Sequence, residues 1–121
     1  IGSHGSTFAG SPLAMALANA VLDIMLKPDF DKHILEVSEY FFNQLNEVKN
    51  KFPKIIKEIR GKGLMIGIQF FEDPSKFLTA FHKNKLITVK ASDNVIRILP
   101  PLNVKKEEID EGINIINKTL K

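Results

Sequence analysis

The spacing of apolar residues changes several times along the chain, and each change marks an element. Over residues 12–26 a helix would be apolar almost all round, with Leu13, Leu17, Val21 and Met25 on one side and Met15, Ala18 and Leu22 beside them. A helix with no polar face is built for burial, so this segment is expected to be covered on several sides. Pro28 closes it. From Asp29 or Asp31 onward, Phe30, Ile34, Val37, Phe41, Leu45, Val48 and Phe52 recur every three or four residues, the pattern of an amphipathic helix that Pro53 stops.

Gly61 and Gly63 open a different regime. Leu64, Ile66, Ile68 and Phe70 alternate with Met65, Gly67, Gln69 and Phe71, which predicts a strand with both faces at least partly covered. Asp73-Pro74 signals a helix start, and Phe77, Leu78 and Phe81 give the buried stripe of a short helix ending near Lys85. Segments 86–90 and 95–99 read as two strands joined by a Ser92-Asp93-Asn94 turn and halted by Pro100-Pro101. A closing helix over 106–120 carries Ile109, Ile113, Ile116 and Leu120 on one face, with Glu107, Glu108 and Asp110 in its first turn, where the helix dipole favours them. Helix, helix, strand, helix, strand, strand, helix is an α+β order: a small, mainly antiparallel sheet covered by helices. A domain boundary is expected near Pro28, giving segments 1–28 and 29–121.

Composition narrows the chemistry. The chain has 121 residues, 44% apolar and 26% charged, enough for one ordinary core. No apolar run is long enough to span a membrane. Without cysteine there is no disulfide, thiolate ligand or cysteine nucleophile, which agrees with a cytoplasmic setting. The net charge of +3 is spread along the sequence, and the densest group, Lys49, Lys51, Lys54 and Lys57, is expected near a helix end. Nucleic acid is therefore not an expected partner. His4, His33 and His82 lack metal-ligand spacing, so no metal site is expected. Asn19 and Tyr40 fall within helical patterns and read as structural.

Two features carry candidate chemistry. The stretch Gly2 to Ala14, G-S-H-G-S-T-F-A-G-S-P-L-A, joins a glycine- and hydroxyl-rich loop to a helix start, with Pro12 at the first helical position and Ser11 placed to cap it. Glycines admit close backbone approach, while Ser3, Ser6, Thr7 and Ser11 offer hydroxyl and N–H groups to an oxyanion. Its other reading is a plain small-residue turn. Arg97 is one of two arginines among fifteen lysines, and a guanidinium grips a carboxylate in a planar, two-pronged way that an ammonium does not reproduce. It either faces a cleft or pairs with an internal acid. Arg60, in R-G-K-G, reads as the anchor of a glycine turn or a solvent-facing charge, and Lys62 carries still less.

Three blocks, H-G-S-T-F-A-G-S-P-L-A-M-A-L-A-N-A from His4, R-G-K-G-L-M-I-G-I from Arg60 and I-R-I-L-P-P-L-N-V-K-K-E-E-I-D-E-G from Ile96, resemble the class III pyridoxal-phosphate aminotransferases, most nearly their acetylornithine-specific group, in the family's order. The resemblance implies the C-terminal small domain of a fold-type I transferase, preceded over 1–28 by the end of the large cofactor domain. It implies that Ser6 and Thr7 bind the phosphate of pyridoxal 5'-phosphate in the neighbouring subunit of a homodimer, and that Arg97 engages a substrate carboxylate or a nearby acid. The amino donor would be N-acetylornithine or ornithine and the acceptor 2-oxoglutarate, in cytoplasmic arginine biosynthesis. The lysine that carries the cofactor and the acid that holds its ring nitrogen would both precede Ile1, in an upstream large domain, so no catalytic residue is expected in this chain and the chain alone is expected to be inactive. The competing expectation is a stand-alone, non-catalytic α+β interaction or regulatory domain.

Overall fold

The computed structural model describes residues 5–7 and 9–121. They fall into two compact units, Ile1–Lys32 and His33–Lys121. The element order is α1 (Pro12–Met25), α2 (Pro28–Lys51), β1 (Ile56–Lys62), β2 (Met65–Phe70), α3 (Ser75–Lys83), β3 (Val89–Ala91), β4 (Val95–Ile98) and α4 (Lys106–Thr119).

In the first unit, α1 begins as the sequence indicates, with Pro12 in its first turn, but the hydroxyl of Ser11 makes no capping hydrogen bond. The Ser11 carbonyl instead accepts the first helical bond, from Met15 N–H at 2.9 Å. The expected burial of α1 is not found: none of its residues is buried, and Leu13 and Leu17 are 71% and 60% exposed. A helix can bury only what other chain covers, and an apolar surface on every side marks α1 as a segment made to be enclosed.

The second unit is an antiparallel sheet in the order β1-β2-β4-β3. Its inner face places Ile56 and Ile59 of β1, Ile66, Ile68 and Phe70 of β2, and Ile96 and Ile98 of β4 in one core. The same core takes Val37, Phe41, Leu45 and Val48 from α2, Phe81 from α3, and Ile109, Ile113 and Ile116 from α4. These are the helix stripes read from the sequence.

Strand β1 is the element that the pattern of apolar positions does not reveal. Its pairing with β2 shifts register between Ile56 and Glu58, and this bulge lets Ile56 and Ile59, three residues apart, both point inward. With the rest of the strand polar and exposed, no alternation survives to be seen. Lys57 accordingly lies in a strand, while Lys49 and Lys51 do occupy the last turn of α2.

Turn chemistry fixes the remaining joints. Asp93 and Asn94 both take positive φ, 60° and 57°, in the β3–β4 hairpin, which suits the short polar side chains that tolerate this region. Helix α3 ends in a Schellman arrangement, Lys85 N–H to His82 C=O and Leu86 N–H to Phe81 C=O, with Lys85 at φ 66° where glycine is usual. That turn makes β3 shorter than the 86–90 expectation, since residues 86–88 form the connection after it. At the start of α3, Asp73 accepts from Ser75 N–H and from Lys90 Nζ, and these bonds, the Lys90 one foremost, hold its carboxyl well below the usual carboxylate range. Tyr40 donates to Asp110, tying α2 to α4, and that bond raises the phenol above its ordinary value. Its role is structural, as the helical pattern indicates. Glu108 accepts from the Lys105 N–H at 2.8 Å, so it closes the first turn of α4 as well as facing the dipole.

Candidate functional site

The two features singled out in the sequence lie in different units, and each has its own geometry. In the first unit, Ser6 and Thr7 stand exposed in a tight turn closed by Ala9 N–H to Ser6 C=O at 3.2 Å. Gly10 follows at φ 75°, a left-handed conformation that costs glycine little, and turns the chain into α1. Among the described residues no side-chain hydrogen bond involves Ser6, Thr7 or Ser11. Hydroxyls in a turn, followed along the chain by a helix start that no side chain caps, are a neutral donor set that suits an oxyanion such as a phosphate. The residues present therefore fit the phosphate of pyridoxal 5'-phosphate. Gly2, Ser3, His4 and Phe8, the other members of the loop motif, lie outside the described residues.

In the second unit, Arg97 lies on β4 and is exposed, on the face of the sheet opposite the core. Neighbouring residues in register share a face, and the pairings run Arg60 to Gly67 to Arg97 across β1, β2 and β4. The sheet thus brings the chain's two arginines to one open groove of about 290 Å³, floored by Gly67 and Val95 and flanked by Met65 and Ala91. Among the described residues Arg97 has no hydrogen bond or ion pair, and it lines this groove. Arg60 approaches Glu58 at 4.0 Å and Asp93 at 3.9 Å, at the outer limit of ion pairing. Lys62 ends β1 next to this groove and is not part of its lining. The sequence signals Arg97 by rarity and context; Arg60 acquires its position only through the hidden strand β1.

His33 and His82 bond to the carbonyls of Val104 and Thr88, and no group of metal-binding side chains occurs among the described residues. No helix among them is long and apolar enough to cross a membrane.

In comparison with known proteins, residues 1–120 match the family described as aminotransferase class-III. The chain belongs to the class III aminotransferases. It is 44% identical over 117 residues to acetylornithine aminotransferase 1 of Bradyrhizobium diazoefficiens, covering 97% of this chain and 29% of that protein. It is 41% identical over 117 residues to the ornithine aminotransferase of Staphylococcus carnosus, again 97% of this chain and 29% of the relative. Among solved structures, acetylornithine aminotransferase from Elizabethkingia anophelis superposes with a TM-score of 0.85 at 31% identity, over 99% of this chain and 32% of that one. The chain thus spans about three tenths of the length of these relatives. The α+β fold with its small antiparallel sheet is that of the corresponding part of the family's enzymes.

Proposed function

We propose that this chain is the C-terminal part of a longer, cytoplasmic aminotransferase that moves an amino group between N-acetylornithine or ornithine and 2-oxoglutarate in arginine biosynthesis. The observation that carries the proposal is the family match over residues 1–120, with relatives named for these two donors. When bound, pyridoxal 5'-phosphate supplies the electron sink that amino-group transfer needs. Segment 1–28 ends the large domain, and 29–121 is the small domain. Ser6 and Thr7 donate N–H and hydroxyl hydrogens to the cofactor's phosphate across a homodimer interface, and their exposure in a tight turn supports this. Arg97, exposed and unpaired among the described residues, holds a substrate carboxylate with two parallel N–H bonds and so orients it.

The lysine that carries the cofactor lies upstream, so the 121-residue chain by itself does not catalyse. The test is to reduce the native polypeptide with borohydride, measure its mass and map pyridoxyl-lysine. A chain several times longer than this one, with its adduct upstream of Ile1, is the expected result. A product of 13.6 kDa without adduct would overturn the proposal in favour of a non-catalytic interaction domain.

A further inference from the structure

We propose that a pocket beneath α4, on the core face of the sheet, binds a small uncharged apolar molecule of about the size of propane. Its walls belong to the hydrophobic core of the second unit, and it lies on the side of β4 opposite Arg97. It does not depend on the amino-group chemistry proposed for the chain.

Size, polarity and access carry the inference. The floor of the pocket is Phe41, Ile98, Val104, Ile109 and Ile116, all buried. Its rim is Leu86, Pro100, Glu108 and Gly112, all at least partly exposed, so a guest can enter without the core unfolding. An engineered apolar cavity of about 150 Å³ takes benzene, so the 70 Å³ here has room for about three carbon atoms. The side chains of the wall are apolar except Glu108, whose Oε2 accepts from the Lys105 N–H at 2.8 Å. Among the described residues, the buried side-chain polar atom that lacks a partner is Thr88 Oγ1, and Thr88 is not in this lining. A water needs about two to four polar partners to stay in such a place, and these walls offer no buried side-chain group in want of one. An ion would give up its hydration for nothing in return, whereas an apolar guest leaves water for a surface already formed. Gly112 keeps the space open. A Cβ there would meet nothing nearer than Leu86 Cδ1 at 3.7 Å, an ordinary contact, so α4 carries a poor helix former in its interior over a space that a larger side chain could fill.

The experiment is methyl NMR of the intact polypeptide containing this chain, labelled at isoleucine Cδ1 and titrated with propane under pressure. Saturable shifts are expected at Ile98, Ile109 and Ile116, which line the pocket, and not at Ile56 and Ile59, which belong to the same core but not to its lining. Dimethyl ether, nearly the same shape but carrying an acceptor that water solvates, is expected to shift the three methyls far less at equal concentration. Gly112→Met, whose flexible side chain can fill the space from within, is expected to abolish the propane shifts. Gly112→Ala, a smaller filling that also favours the helix, is expected to weaken them. No shift at the three isoleucines, equal shifts at all five, or propane binding undiminished in a folded Gly112→Met protein would each overturn the assignment. Dimethyl ether binding as well as propane would overturn the apolar class of the guest. The wild-type titration is decisive without either variant. It also needs no turnover, so absence of a pyridoxyl adduct would defeat the aminotransferase reading while leaving this one to its own result.

Discussion

Thr88 offers a substitution that should stabilise the protein by removing a polar group. It is 4% exposed, and its hydroxyl has no hydrogen-bond partner among the described residues, while its backbone carbonyl is bonded 2.7 Å from His82 Nε2. Burying an unbonded hydroxyl costs about 1–3 kcal/mol by protein mutational measures, and the unfolded chain, whose hydroxyl is hydrated, does not bear that cost. Valine has nearly the same shape and the same branching at Cβ, so backbone preference and rotamer freedom hardly change. Thr88→Val is therefore expected to stabilise by about 1–2 kcal/mol, each kcal/mol raising Tm by about 4–8 °C in a domain of this size. Urea unfolding of the 121-residue chain followed by circular dichroism would measure it, with the midpoint rising and the slope unchanged. Thr88→Ala, which also deletes a methyl and leaves a void, should fall below valine. A valine variant less stable than wild type would refute the reasoning, because it would mean that the hydroxyl is satisfied in solution.

Gly61→Ala should destabilise by more than a typical surface change, since its Cβ would meet Met65 O at 2.3 Å and Ile66 Cα at 2.8 Å, backbone atoms that cannot swing aside; a lower urea midpoint checks it. Lys85→Gly should stabilise by about 0.5–1 kcal/mol, because a lysine at φ 66° bears a left-handed cost of about 1–2 kcal/mol that glycine avoids, less glycine's greater entropy when unfolded; thermal melts decide it. Asp73 has a folded pKa below its unfolded one, so its stabilisation is complete above the ordinary carboxylate range and is lost as pH falls below it; Asp73→Asn should flatten the acid limb of a stability profile between about pH 5 and pH 2. Thr7→Ala in the longer polypeptide should speed cofactor loss on dialysis, read from the absorbance of bound cofactor, and retention equal to wild type would remove Thr7 from the phosphate site.

How much of this fold can be read from the residues depends on whether an element obeys one simple period. Helices α2 and α4 do, and Val37, Phe41, Leu45, Ile109, Ile113 and Ile116 lie in the core where their spacing puts them. Strand β2 does as well, because it is central and alternates. Strand β1 escapes because it lies at the edge of the sheet and a bulge replaces a spacing of two by one of three, so its two buried isoleucines mimic a helix turn. The apolar pattern extends β3 too far toward its start for a related reason: Leu86 is partly buried, but Lys85 has already turned the chain out of regular structure. In α1 the sequence speaks of enclosure and the described chain supplies none, since hydrophobicity records what a segment is made to meet and not where the covering atoms come from.

The same distinction separates the two arginines. Arg97 stands out in the sequence itself, because a lone arginine in a lysine-rich stretch, beside a double proline, is chemically conspicuous. Arg60 sits beside a glycine turn, where a charge needs no further explanation, and its place in the groove is a property of pairing and not of neighbours. Once β1 is bulged at Ile56/Glu58, the register beyond the bulge sets Arg60 against Gly67, and the antiparallel return of β4 sets Gly67 against Arg97. A register without that bulge would slip β1 by one residue and send Arg60 to the core face, where an uncompensated charge is not tolerated. The irregularity that hides the strand from the sequence is therefore what brings its arginine to the groove.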